Sequence, residues 1–140
     1  MTIQAILLPL LVEVVLTFVL LIWTAFVRTA AVRRGDVHPR DVALRQPGWP
    51  KRETQIANAY QNQLELPVLF YVLTILAVIT RQADLLFVVM AWMFVLSRLV
   101  HAGIHVTSNR LTRRGAAFAV GMLVLALMWV IFIVRILVLS

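Results

Sequence analysis

Four long apolar runs are separated by polar intervals along the chain. They cover residues of about 3–28, 56–80, 83–106 and 116–139, and the second is most apolar from Leu64 onward. Each reaches the roughly 20 residues that a membrane-spanning helix needs. Lipid offers no partner to open backbone groups, so the runs are predicted to be helices. The pattern predicts an all-α integral membrane protein, with residues 1–140 forming a single domain of four transmembrane helices. Composition supports this: 62% of the chain is hydrophobic, its mean hydropathy is +0.94, and soluble domains hold only roughly 45–50% apolar residues. The first run has no Lys or Arg before it, exceeds the length of a signal-peptide core and contains Glu13, so it reads as a retained helix.

Charge gives the helices a direction. The interval after the first span carries Arg33, Arg34, Arg40, Arg45, Lys51 and Arg52, and the interval before the fourth carries Arg110, Arg113 and Arg114. The interval between, "TRQAD", carries only Arg81. The positive-inside rule then places loops one and three in the cytoplasm and both termini outside. The net charge of +7 belongs to span-flanking residues, so membrane lipid and not nucleic acid is the expected partner. Loop one contains Gly and Pro breakers and is expected to be irregular, with Trp49 at headgroup level. The chain has no Cys, which excludes disulfides and thiolate metal sites. Its size and the lack of a targeting signal point to a bacterial inner-membrane protein.

One stretch breaks the apolar pattern. In "NAYQNQLELPVLFY", residues 58–71, Asn58, Asn62 and Glu65 are four and three apart, and Gln55 and Gln61 flank them. At about 100° per residue these positions share one helix face. In "SRLVHAGIH" of the third span, Arg98, His101 and His105 repeat the spacing in reverse. Spans joined by a short loop pack antiparallel, and residues at equal depth then have position numbers of constant sum. Glu65 with Arg98, Asn62 with His101 and Asn58 with His105 all satisfy one register. The expectation is a Glu65–Arg98 ion pair and two amide–imidazole layers. Pro67 removes one backbone donor near the stripe and either kinks the helix there or only shapes its packing. Interhelical polar contacts in membranes are worth only about 0.6 kcal/mol on average. Such glue explains a single amide better than a stripe facing an Arg and two His, and a ligand site is the reading preferred here. His101 and His105 lack the Glu and third ligand of a metalloprotease motif, so no metal is expected.

Taken together, the four spans, the basic loop one, Asn62, Glu65 and Pro67 early in span two, Arg98 and His101 in span three and the basic turn at Arg110, Arg113 and Arg114 resemble one family. It is the membrane-associated proteins in eicosanoid and glutathione metabolism, which include microsomal glutathione transferases and prostaglandin E synthase. The resemblance covers nearly the whole chain. It implies a homotrimer of left-handed four-helix bundles with glutathione sites between subunits. It also implies that an Arg at the start of span four stabilises the glutathione thiolate. Arg114 matches that position, with Arg113 as substitute. Asn58, Asn62, Glu65, Arg98, His101 and His105 would shape the pocket, and Arg28, Arg33 or Arg52 would reach it from neighbouring segments. At Asn58 the family enzymes usually carry Arg, and His105 replaces a frequent Tyr.

The implied activity is glutathione S-transferase or peroxidase-like, with glutathione as cosubstrate and a lipophilic small molecule as electrophile. Two alternatives stand beside it: a binding protein of the same fold without chemistry, and a small proton-coupled multidrug exporter using Glu13. Glu13 is also read as a trimer-interface residue or a structural partner of Arg98.

The orientation is testable because the chain lacks cysteine. In right-side-out spheroplasts, Gln82→Cys should react with a membrane-impermeant maleimide at once, and Ala43→Cys only after permeabilisation. The reverse pattern would invert the topology.

Overall fold

The computed structural model describes residues 1–43 and 48–139. Arg45 lies outside the described residues. Among the described residues there are five α-helices: α1 (Ile3–Arg33), α2 (Lys51–Asn62), α3 (Leu66–Ile79), α4 (Leu85–Val106) and α5 (Leu111–Val134). Helices α2 and α3 are two halves of one span, so four helical segments are long and apolar enough to cross a membrane. A 3-10 turn at Pro39–Val42 lies in loop one, and a π-helical turn at Arg135–Leu139 ends α5.

The ends of the helices follow local chemistry. Thr2 caps α1 by accepting from the Ala5 amide at 3.2 Å, and Asp84 caps α4 by accepting from the Phe87 amide at 3.0 Å. Gly35 closes α1 with φ +79°, and the Asp36 amide returns to the Ala31 carbonyl at 3.1 Å. Arg81 takes the same left-handed role after α3 at φ 59°. At 31 residues, α1 rises about 46 Å, well beyond the roughly 30 Å hydrocarbon core. Its last turns therefore project into the basic end of the bundle. The helix continues past the expected limit near residue 28 to Arg33, and α2 already begins at Lys51. Loop one is correspondingly shorter than the apolar pattern suggested.

Helix α4 is the centre of the bundle. It packs against α1, α2 and α5. Half of span two, α2, lies along α4, whereas α3 lies against α1 and α5 and meets α4 through large side chains such as the Phe70–Phe94 pair, 4.9 Å between ring centroids. The apolar interior has two parts. One, with Phe70, Leu73, Phe94, Leu125 and Met128, fills the half away from the basic loops. The other, with Leu20, Ile56, Ala59, Ala102 and Val106, lies near them.

Several polar groups in the spans find partners close by. Thr17, Thr24 and Thr74 donate to the carbonyls four residues back. The last carbonyls of α4 would otherwise be open. Arg52 donates to the Val106 carbonyl and Gln55 to the Thr107 carbonyl at 3.0 Å, pinning α2 to the end of α4. Arg34 bridges Asp36 at 2.9 Å and buried Glu53 at 3.2 Å, tying α1 to α2. The hydrogen bond to Asp36 holds the Arg34 pKa above its ordinary value. Trp49 lies beneath the Arg28 guanidinium, 4.8 Å from its ring centre. At the opposite end Arg135 pairs with Asp84 at 2.9 Å.

Gly121 sets the closeness of α4 and α5. A Cβ there would lie 2.7 Å from Ser97 Oγ and 3.6 Å from Arg98 Cδ. Gly121→Ala should be nearly neutral, because Ser97 can turn away at the cost of its bond to the Phe94 carbonyl while the helix gains about 1 kcal/mol of propensity. Gly121→Val should force the helices apart and cost about 1–3 kcal/mol. Thermal unfolding of the two variants in one detergent checks this, and equal midpoints would rule out a tight contact.

Candidate functional site

The second span breaks where its polar stripe ends. Helix α2 stops at Asn62, and Glu65 has non-helical φ −102° and ψ −105°. Pro67 sits in the first turn of α3, where its missing N–H is tolerated. It leaves the Gln63 carbonyl without the donor that a continuous helix would supply. Of the two roles open to Pro67, the break is the one observed.

The break and the start of α5 border an open cleft at the basic end, with about 840 Å³ of empty space. From α2 and the break come Asn58, Gln61, Asn62 and Glu65. From α4 come His101 and His105. From α5 come Leu111, Arg114, Gly115 and Phe118. The wall is therefore polar on one side and partly apolar on the other.

Asn62 and His101 are both buried, and Asn62 Nδ2 lies 3.0 Å from His101 Nδ1. This is the expected middle layer. The other two layers do not form. Glu65 is exposed in the cleft, and no Glu65–Arg98 ion pair exists among the described residues. The reason is local: helical counting holds only as far as Asn62, and Glu65 lies beyond the end of α2. Asn58 is exposed, and His105 faces Arg114 Nη1 at 3.4 Å instead of Asn58. Arg114 also donates to Asn109 Oδ1 at 2.8 Å, so the guanidinium is held from two sides.

Arg98 is fully buried. Its guanidinium carbon lies 5.7 Å from the Phe118 ring centre, and Phe118 also stands 5.9 Å from His101. Arg98 thus lies behind the cleft wall and does not line it. Arg113 is exposed outside the cleft. Arg33, at the end of α1, is likewise exposed and away from it. Among the described residues His101 and His105 have no further acidic or imidazole group placed to complete a metal shell.

A family model described as the MAPEG family matches residues 6–134. The chain belongs to the MAPEG family. The family comprises four-helix membrane bundles and includes glutathione transferases and related proteins. Comparison with curated proteins and with solved structures gave no match. In this MAPEG chain the match spans every residue of the cleft, from Asn58 to Phe118.

Phe118 in the cleft and Gln63 at the break escape sequence reasoning. Phe118 joins Arg98, His101 and the cleft, yet in an apolar helix a Phe carries no distinguishing signal. Gln63 is fully buried, donates to the Ala59 carbonyl at 3.1 Å and leaves Oε1 without a protein donor. Its position next to Asn62 turns it off the stripe. Its amide in an apolar setting was the available signal.

Asn109 holds Arg114 from a left-handed backbone, φ 49°. Asn tolerates this conformation better than most residues. Asn109→Gly should retain stability, and Asn109→Ala should lie about 1–2 kcal/mol below it. Paired melting curves test this, and identical midpoints would mean that the turn is unstrained.

Proposed function

We propose that this chain binds glutathione in the cleft at the cytoplasmic end and joins it to lipophilic electrophiles. The observation that carries the reading is the placement of Arg114. It is the cleft cation on α5, anchored by Asn109 and adjacent to His105. The donor set fits the tripeptide. A guanidinium suits carboxylate or thiolate, the amides of Asn58, Gln61 and Asn62 suit peptide groups, and the Glu65 carboxylate suits an ammonium.

Glutathione would supply the thiol, which gives its proton to water; its sulfur then bonds to the electrophilic carbon as the leaving group departs with the bonding pair or, in an addition, as the strained C–O or activated C=C bond opens and takes up a proton. The role of this chain is to favour the thiolate and to orient it. A guanidinium near a thiol stabilises the charged form, which is the nucleophile. Asn109 and His105 restrict Arg114 and so reduce the entropy lost when the anion is held. The exposed apolar surfaces of α1, α3 and α5 would let a lipophilic substrate arrive through the bilayer. Homotrimer formation belongs to the same reading, since the cleft is open on one side and a second copy would close it.

The test is to titrate the purified protein with glutathione, following thiolate absorbance and conjugation of a generic electrophile. An opposite charge lowers a neighbouring thiol pKa by about 1–3, and an ordinary thiol is only about 3% thiolate at pH 7, so Arg114→Ala should reduce conjugation near neutral pH by about 8- to 30-fold. Arg113→Ala should leave it within about threefold, the range of context for a surface charge. Absence of binding at millimolar glutathione would sink the transferase reading. An effect confined to Arg113→Ala would reassign the thiolate partner.

A further inference from the structure

The interior of the bundle holds two opposite charges that the sequence register did not join. Arg98 on α4 is the largest fully buried side chain, and Glu13 on α1 is fully buried as well. Helix α1 packs directly against α4. Neither side chain has a protein hydrogen-bond partner, so neither is held by neutral dipoles. An isolated ion at such depth strongly opposes folding, and buried charges persist when balanced by another charge. Two carboxylates, Glu13 and Glu65, lie within electrostatic reach of Arg98, and neither forms a direct ion pair with it among the described residues. Glu13 is enclosed in low-dielectric interior, whereas Glu65 stands in the open cleft and is screened, so Glu13 carries the less screened charge.

We infer that Glu13 is the counter-ion of Arg98, and that it acts as a positioning residue by leaving Glu65 as a free carboxylate of the cleft. The charge of Arg98 is balanced from α1, behind the wall, and not from the polar stripe. Glu13 thereby links the first span to the helix that carries His101 and His105. This inference stands on burial and helix packing, and does not rest on glutathione being the ligand.

The experiment is a pair of double-mutant cycles on the full chain in one detergent, read as thermal midpoint and as folded, monodisperse yield. The variants are Glu13→Gln, Glu65→Gln, Arg98→Gln and the two doubles containing Arg98→Gln. Glu13→Gln and Arg98→Gln should each lower the midpoint, because each strands one buried charge. E13Q/R98Q should regain at least half of the Arg98→Gln loss, since no charge is then stranded. Glu65→Gln should change little, and E65Q/R98Q should show no recovery. If Arg98→Gln yields no folded protein, the return of folded yield in E13Q/R98Q is the expected result. Additivity in the Glu13 cycle, or recovery only in the Glu65 cycle, overturns the inference. A second readout concerns Glu65 itself. A water-soluble carbodiimide with an amine should label Glu65 in the wild-type protein and spare Glu13. Protection of Glu65 under conditions that label an exposed Asp would show it to be paired, and would overturn the positioning role.

Discussion

Lipid supplies no hydrogen bonds, so each polar group placed within the spans must be met by protein or lie where water reaches. The rest of the bundle can be understood from that requirement. Thr hydroxyls turn back on their own helices. The open carbonyls of α4 take donors from Arg52 and Gln55. Arg98 is the most demanding group, and it is buried on α4, which packs against α1, α2 and α5. Gly121 allows α5 to approach close beside it, Phe118 offers a ring face, and Glu13 brings opposite charge from α1. Each of these comes from a different part of the chain.

The cleft depends on the interrupted second span. A continuous helix would have carried Glu65 towards α4 and filled the polar interval. Ending α2 at Asn62 lets the short, amide-rich half stay against α4 while α3 goes its own way between α1 and α5. Asn62 remains fastened to His101, and Glu65 is left at the cleft. The interruption thus separates a packing half from a site-forming half within a single span.

Membership of the MAPEG family accounts for the four-helix membrane bundle. The details of this chain have chemical consequences. Asn58 offers an amide at the exposed edge of the cleft. His105 meets Arg114 as an imidazole, a neutral acceptor only when one ring nitrogen is unprotonated. The cation density of the cleft therefore rests on Arg114, with Arg33 and Arg113 both turned elsewhere.

Hydropathy alone was sufficient for the four spans, because insertion depends on the sum of apolar surface over about 20 residues and little on what each residue touches. Spacing was sufficient for the Asn62–His101 contact, because both residues lie within unbroken helix and helical counting applies to them. It failed one turn later. Pro67 marked a possible break, but only the folded chain decided that it falls between Asn62 and Leu66 and takes Glu65 out of register. The burial of Glu13, the ring of Phe118 and the Asn109–Arg114 contact were likewise decided by tertiary structure. Periodicity gives a residue's face on its own helix. Which helix lies opposite, how closely and at what rotation depends on packing among segments far apart in sequence, and here on glycine, proline and one buried guanidinium.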